Sequence, residues 1–299
     1  MSADQKKDGI IIRLTGGFYY VDCDGEILEC KARGKFRNTG ESPVVGDKVS
    51  VSVKSDGYHS VDCIFDRKNF LVRPPLANLD ALVIVISTVE PLPNTLVIDK
   101  LTAAAVDIGT MPYIVFSKTD LSTCDDLVSV YQKAGFPTFT YSDGDVESVE
   151  KIRAALSGKI VAFIGNSGVG KSTLINNLYP DLGLKTGKIS QKLGRGRHTT
   201  RTVELFKIDA GYIADTPGFS TVDLERYHLV EKEQLMYCFP EFEEYIGDCK
   251  FSSCMHVCEK GCAIIDAVKN GIISESRHQS YVEMYTEIKD IKPWELKNN

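Results

Sequence analysis

The chain has 299 residues, 43% of them hydrophobic and 25% charged, with a formal net charge of −6. That length accommodates two or three domains, each with its own core, and no apolar run approaches the roughly 20 residues a membrane-spanning helix requires. The acidic total makes no case for a nucleic-acid partner, and the opening MSADQKKDG carries no secretory core, so the expected location is the cytoplasm, with no membrane partner; a monomer is expected.

The first 70 or so residues alternate like strands. GIIIRL, GFYYVD, EILECK, VGDKVSVSV and HSVDCIF are five short β-rich runs separated by glycine, aspartate or asparagine turns. Five strands in so short a stretch predict a small barrel, with the five-stranded OB-fold first among candidates. Lys31, Arg33, Lys35 and Arg37 recur with period two, so on a strand all four project from one face. A solvated edge strand tolerates such a row, and OB barrels use one to follow a phosphate backbone.

From about residue 79 the pattern changes. LDALVIVIS and MPYIVF are continuous apolar runs, as in strands covered on both faces, and IDKLTAAAVDIG between them reads as a helix closed by Gly109. A helix near 124–135, a strand at FPTFT and a helix near 146–156 follow, before KIVAFIG runs into a glycine loop. This is α/β with a parallel sheet. After about residue 222 the alternation stops, and the end of the chain is helical and carries cysteines.

Gly165-Asn166-Ser167-Gly168-Val169-Gly170-Lys171-Ser172, followed by Thr173, fits G-x-x-x-x-G-K-[ST] between a strand and a helix. Glycines there let backbone amides curl around phosphates, while Lys171 reaches the β- and γ-phosphates and Ser172 ligates Mg²⁺. Downstream, GYIADTPG places Asp215 at a strand end to support Mg²⁺, with Gly218 free to turn its amide toward the γ-phosphate. Upstream, Ser117-Lys118-Thr119-Asp120 ends MPYIVF, where GTPases carry N-K-x-D. An aspartate accepts two hydrogen bonds from guanine, a donor pair adenine lacks, and the lysine stem packs on the ring. Serine stands here in place of asparagine. The expected ligand is GTP or GDP with Mg²⁺, and the base motif precedes the phosphate loop instead of following it.

Between Leu182 and Val203 lie Lys185, Lys188, Lys192, Arg195, Arg197 and Arg201 with no acidic residue, the composition of a basic switch loop. Thr199 or Thr200 would supply a hydroxyl to Mg²⁺. Phe219 occupies the position after D-x-x-G where many GTPases carry a water-orienting glutamine, which leaves His198 as the candidate for that task. Nine cysteines include five crowded into one stretch, among them Cys249, Cys254 and Cys262, which with His256 form C-x4-C-x-H-x5-C. Three thiolates and an imidazole suit a closed tetrahedral Zn²⁺ site, and composition leaves Cys258 open as an alternative to His256. The tail is short for a large core, so one structural zinc is expected to supply much of its stability.

The order SKTD, GNSGVGKST, RHTTR, DTPG resembles the circularly permuted GTPases of ribosome assembly, and the preceding barrel and trailing Cys/His cluster match the RsgA family. That resemblance covers nearly the whole chain. It implies an OB-fold RNA-binding domain (1–70), a circularly permuted P-loop GTPase domain (71–221) and a mainly helical zinc-binding domain (222–299). It further implies the small ribosomal subunit and its rRNA as partners, with GTP hydrolysis linked to release late in subunit maturation. It selects His256 as the fourth zinc ligand, prefers Thr200 of the two threonines and points to His198 for catalysis. The alternatives are a GTP-gated RNA-binding module in which hydrolysis is incidental, and a P-loop phosphotransferase, against which DTPG and SKTD argue.

Overall fold

Five strands form from the first alternating runs: β1 (Gln5–Thr15), β2 (Phe18–Cys23), β3 (Glu26–Ala32), β4 (Lys48–Val53) and β5 (His59–Ile64). The computed structural model describes residues 5–34, 36, 42–54, 57, 59–182, 203–215 and 230–291. The strands hydrogen-bond in the order β1-β2-β3-β5-β4, and β4 returns antiparallel to β1, which closes a barrel. Ile11, Val21, Leu28, Val49, Val51 and Val61 fill it. The basic row does not continue as a strand. β3 stops at Ala32, Arg33 turns aside to bond Asp62 at 2.9 Å, and Phe36 enters the barrel core, where its ring is sheltered from water. Lys35 and Arg37 lie outside the described residues. A short ladder of β6 (Phe70–Leu71) and β7 (Leu76–Ala77) follows.

The α/β pattern then begins. β8 (Ala81–Ser87) is buried at every position and β9 (Met111–Ser117) at every position after Met111, as continuous apolar runs require. Between them α1 (Thr95–Ile108) starts at Asn94, whose side chain accepts from the Val97 amide, and ends at Gly109 in the left-handed conformation. α2 (Asp125–Lys133) leads to β10 (Thr138–Tyr141), which pairs parallel with β9, and α3 (Val146–Leu156) leads to β11 (Ile160–Ile164). α4 (Lys171–Leu178) follows the glycine loop, and β12 (Glu204–Ile208) and β13 (Gly211–Asp215) form a hairpin.

By contacts the chain divides into two units. One unites Met1–Ala81, Leu156–Ala162 and Tyr179–Phe219, so that β12 pairs with β1 of the barrel through Arg13↔Glu204 and β13 pairs parallel with the start of β11. The other unites Leu82–Ala155, Phe163–Leu178 and Ser220–Asn299. In it the tail, with α5 (Ala263–Lys269) and α6 (Glu275–Ile288), does not depend on metal alone. Leu235, Phe239, Phe242, Ile264, Tyr281 and Met284 form an aromatic-rich core that also takes in Ala103 of α1. Arg277 of α6 is 1% exposed and gives bonds of 2.7 Å to both Asp99 of α1 and Glu241. Its guanidinium lies 4.4 Å over the Phe239 ring. Among the described residues no helix is long and apolar enough to cross a membrane.

Candidate nucleotide and metal sites

The glycine loop leaves β11 at Ile164 and enters α4 at Lys171, with Asn166, Ser167 and Gly168 exposed at its crown and Val169 buried beneath. Gly165 is forced by close approach, because a Cβ there would sit 2.6 Å from the Val85 carbonyl oxygen. Gly170 has φ +87°, which turns its amide in a direction an L side chain resists. Lys171 holds its ammonium 3.3 Å from the Gly165 carbonyl oxygen, at the loop itself. Ser172 and Thr173 open the helix, whose free amides face the same end. A ring of amides with an ammonium at its rim is a receptor for phosphate oxygens.

The second half of the site is the turn after β9. Lys118 takes a left-handed φ of +59°, the Leu121 amide bonds back to the Lys118 carbonyl, and Asp120 is exposed at the tip. Non-glycine residues hold that conformation only when neighbours impose it. Here the Thr88 hydroxyl donates to the Lys118 carbonyl at 2.8 Å, the Thr119 amide reaches the Tyr141 carbonyl, and the Lys118 ammonium donates to the Glu90 carbonyl at 2.8 Å. Ser117 explains its own place in the motif. Its side chain is 1% exposed, and its hydroxyl lies 2.6 Å from the Val169 carbonyl oxygen and 3.1 Å from that of Ile86. Through its hydroxyl it ties the base-motif turn to the phosphate loop.

Sequence reasoning passed over two contributors. β10 runs in register with β9, Tyr141 beside Ser117, so the turn at Ser142–Asp145 lies next to Thr119 and Asp120. The signal available was a turn-rich run at the carboxyl end of a parallel strand, where α/β folds bind ligands. Asn177 of α4 donates to the Tyr141 hydroxyl at 2.7 Å and to the Asp143 carboxylate at 2.9 Å. It is a second tie between the phosphate-loop helix and the base-side turns.

Asp215 ends β13, directly across from Glu204. Gly218, His198 and Thr200 lie outside the described residues, as do Phe219 and the six basic residues between Leu182 and Val203.

In the tail, Cys249, Cys254, His256 and Cys262 present their donor atoms within 4.8 Å of one another. Cys249 Sγ and Cys262 Sγ are 3.8 Å apart, and His256 Nδ1 lies 3.5 and 3.4 Å from them. A tetrahedral zinc with Zn–S of about 2.3 Å and Zn–N of about 2.0 Å has edges of roughly 3.8 and 3.5 Å, so these residues fit the ion. Cys258 is exposed and stands outside the group of four, which His256 joins. Burial holds the His256 imidazole below its ordinary pKa, toward the neutral form that ligates metal. The loop is built around the cluster by Glu259, whose carboxylate accepts from the amides of Met255, Val257 and Cys258 at 2.9, 2.8 and 3.0 Å. From α6, Tyr281 donates to the Met255 carbonyl and His278 Nε2 lies against the His256 carbonyl, each at 2.7 Å.

The chain is similar along its length to known proteins. The family description RsgA GTPase matches residues 64–225, and RsgA N-terminal domain matches residues 8–58. A Listeria innocua protein named small ribosomal subunit biogenesis GTPase RsgA 2 is 42% identical over 96% of this chain and 99% of its own length. A Streptococcus pneumoniae protein of the corresponding name is 41% identical over 94% of each chain. Among solved structures, YjeQ from Thermotoga maritima matches with a TM-score of 0.81 at 33% identity, over 96% of this chain and 100% of that one. YloQ, described as a circularly permuted GTPase, matches with a TM-score of 0.80 at 32% identity over 97% of each. With a phosphate loop that follows its base motif in the chain, a closed five-stranded barrel before them and a Cys3His cluster behind, this protein belongs to the RsgA family of circularly permuted GTPases.

Proposed function

We propose that the chain hydrolyses GTP on the small ribosomal subunit during late maturation, with hydrolysis linked to its release. The observation that carries the reading is the Ser117–Val169 contact of 2.6 Å, which ties the phosphate loop to the turn that carries the guanine motif. In this reading the amides of Gly165 to Thr173 and the Lys171 ammonium hold the phosphates, while Asp120 accepts from guanine and the Lys118 stem and Thr119 line the ring. Ser172 holds Mg²⁺ with Asp215 in support, and the ion would neutralise charge on the β- and γ-phosphates. Thr200 adds a hydroxyl to that metal, the Gly218 amide faces the γ-phosphate, and His198 orients the attacking water. Cys249, Cys254, His256 and Cys262 hold one structural zinc. The protein acts as a cytoplasmic monomer, with functional domains at 1–70, 71–221 and 222–299, and the barrel and zinc domain contact rRNA.

The names of the relatives support the partner, and the Cys3His geometry supports the metal. The test is steady-state GTP turnover by the purified protein alone, with small ribosomal subunits and with large ones. Small subunits should raise the rate and large subunits should leave it near the basal level. Equal stimulation by both, or by neither, overturns the assignment of partner.

A further inference from the structure

We propose that Asn177 is a positioning residue that sets how fast bound guanine nucleotide is released, an inference that rests on the GTP site read above. Asn177 stands in α4, the helix that opens at Lys171 and Ser172 on the phosphate loop. At the rise of an α-helix it lies about 9 Å along the axis from Lys171. There its side-chain nitrogen donates to the Tyr141 hydroxyl at 2.7 Å and to the Asp143 carboxylate at 2.9 Å. Both N–H donors of the amide are spent on one neighbouring element, the end of β10 and the turn beyond it.

That element borders the base side of the site. The Tyr141 carbonyl accepts from the Thr119 amide, and Tyr141 stands beside Ser117 in the β9–β10 register. Asp120 is the next residue in the chain after Thr119. The turn is already held on its far side. The Asp145 amide bonds back to the Ser142 carbonyl, Gly144 takes φ +84°, and the Asp145 carboxylate accepts from the Ser148 amide at 3.1 Å, at the start of α3. Asn177 supplies the matching hold from the side of the phosphate loop.

The chemistry of the tie suits it to that task. Tyr141 is buried, and burial first and the Asp143 carboxylate second hold its hydroxyl above the ordinary tyrosine pKa, so it stays neutral and protonated. Asp143 is exposed, and its bond from Asn177 is charge-assisted. A nucleotide held by its phosphates at the start of α4 and by its base at the Thr119–Asp120 turn spans the two elements that Asn177 joins. With the tie made, both halves of the receptor are set before the ligand arrives, and neither opens without the other. With the tie broken, the base side yields while the phosphates are still held, and release quickens.

The test is the release rate of GDP carrying a fluorescent group on its ribose, chased from the full-length protein with excess GDP in a stopped-flow instrument. Asn177→Ala and Asp143→Ala should each speed release about five- to tenfold, the scale of one hydrogen bond to a charged group partly in water. Asn177→Asp sets one carboxylate against another and should speed it further. The swap of Asn177→Asp with Asp143→Asn exchanges donor and acceptor, and the Tyr141 hydroxyl can turn its proton to the new carboxylate. That swap should bring release back to within about twofold of the parent. Unchanged release in Asn177→Ala overturns the inference. So does a swap no better than Asn177→Asp alone, which would leave Asn177 a packing residue of α4. If Asn177→Ala misfolds, shown by loss of its circular dichroism, Asp143→Ala and the swap carry the same test. A parent chain that binds no GDP contradicts the proposed function instead.

Discussion

The tail packs on α1 and the barrel pairs with β12, and each joint holds an arginine, in contrasting surroundings. Arg277 joins the tail to α1 in full burial, with two carboxylates, a threonine hydroxyl and the faces of three aromatic rings around it. Burial opposes its charge, but Glu241 and Asp99 raise its pKa further still. Arg13 joins the barrel to β12 half in water, through one long contact and one strand register. A buried charge cannot lose a partner without leaving an unpaired ion in low dielectric, whereas an exposed one exchanges partners at little cost. The first joint is suited to holding geometry, and the second leaves its arginine free to exchange partners.

Metal removal should break the tail most severely. The protein purified without chelator should carry about one zinc per chain. Cys254→Ala should abolish metal binding and lower the tail's stability by several kcal/mol, since structural zinc binding is worth ~10 kcal/mol or more in isolated zinc modules. The aromatic core shared with α1 should keep part of the tail's helical signal after metal loss, as read by circular dichroism during chelation. Metal analysis finding no zinc removes this side of the account.

Breaking the buried joint comes next. Arg277→Ala should cost about 3–5 kcal/mol in chemical denaturation, because it strands Asp99 and Glu241. Arg277→Lys should recover little, since an ammonium cannot reproduce the fork that serves both carboxylates. A loss below about 1 kcal/mol would put Arg277 in the class of exposed pairs and erase the contrast with Arg13.

A smaller effect is expected at the clasp inside the nucleotide site. Ser117→Ala removes a buried hydroxyl from the Val169 carbonyl and should weaken GTP and GDP binding about three- to tenfold, on the scale of one buried hydrogen bond. ATP should bind no better, because the Ser117 hydroxyl is engaged with the Val169 carbonyl. A gain in ATP binding measured by fluorescence titration would return Ser117 to the base-reading residues.

How much of this was legible before the structure follows from distance along the chain. The phosphate loop, SKTD and C-x4-C-x-H-x5-C are local spacings that carry their own chemistry, and the structure brings each set together. The five barrel strands were legible because alternation with period two is a local signal, and so was the end of α1 at Gly109. The basic row was over-read, because period two continues through Arg37 in the sequence while the chain leaves the ladder after Ala32 to bury Phe36. Arg13, Asn177 and Arg277 gave no local sign. Each acts on a partner far along the chain, Glu204, Asp143 and Asp99, and its meaning arises only from strand register or helix packing.

The central claim is that a guanine-reading turn and a phosphate loop, met in rotated order along the chain, form one GTP site. Asp120 sits exposed at the tip of that turn and takes no part in the contacts that hold it, so its replacement tests reading without disturbing the fold. The direct measurement is competition binding of GTP, XTP and ATP to the parent and to Asp120→Asn. The parent should prefer GTP over ATP by at least about a hundredfold, the scale at which a site with paired hydrogen bonds rejects an analogue lacking them. Asp120→Asn should transfer the preference to XTP, whose ring presents an acceptor where guanine presents a donor. Equal binding of GTP and ATP by the parent, or unchanged GTP selectivity in Asp120→Asn, would contradict the account.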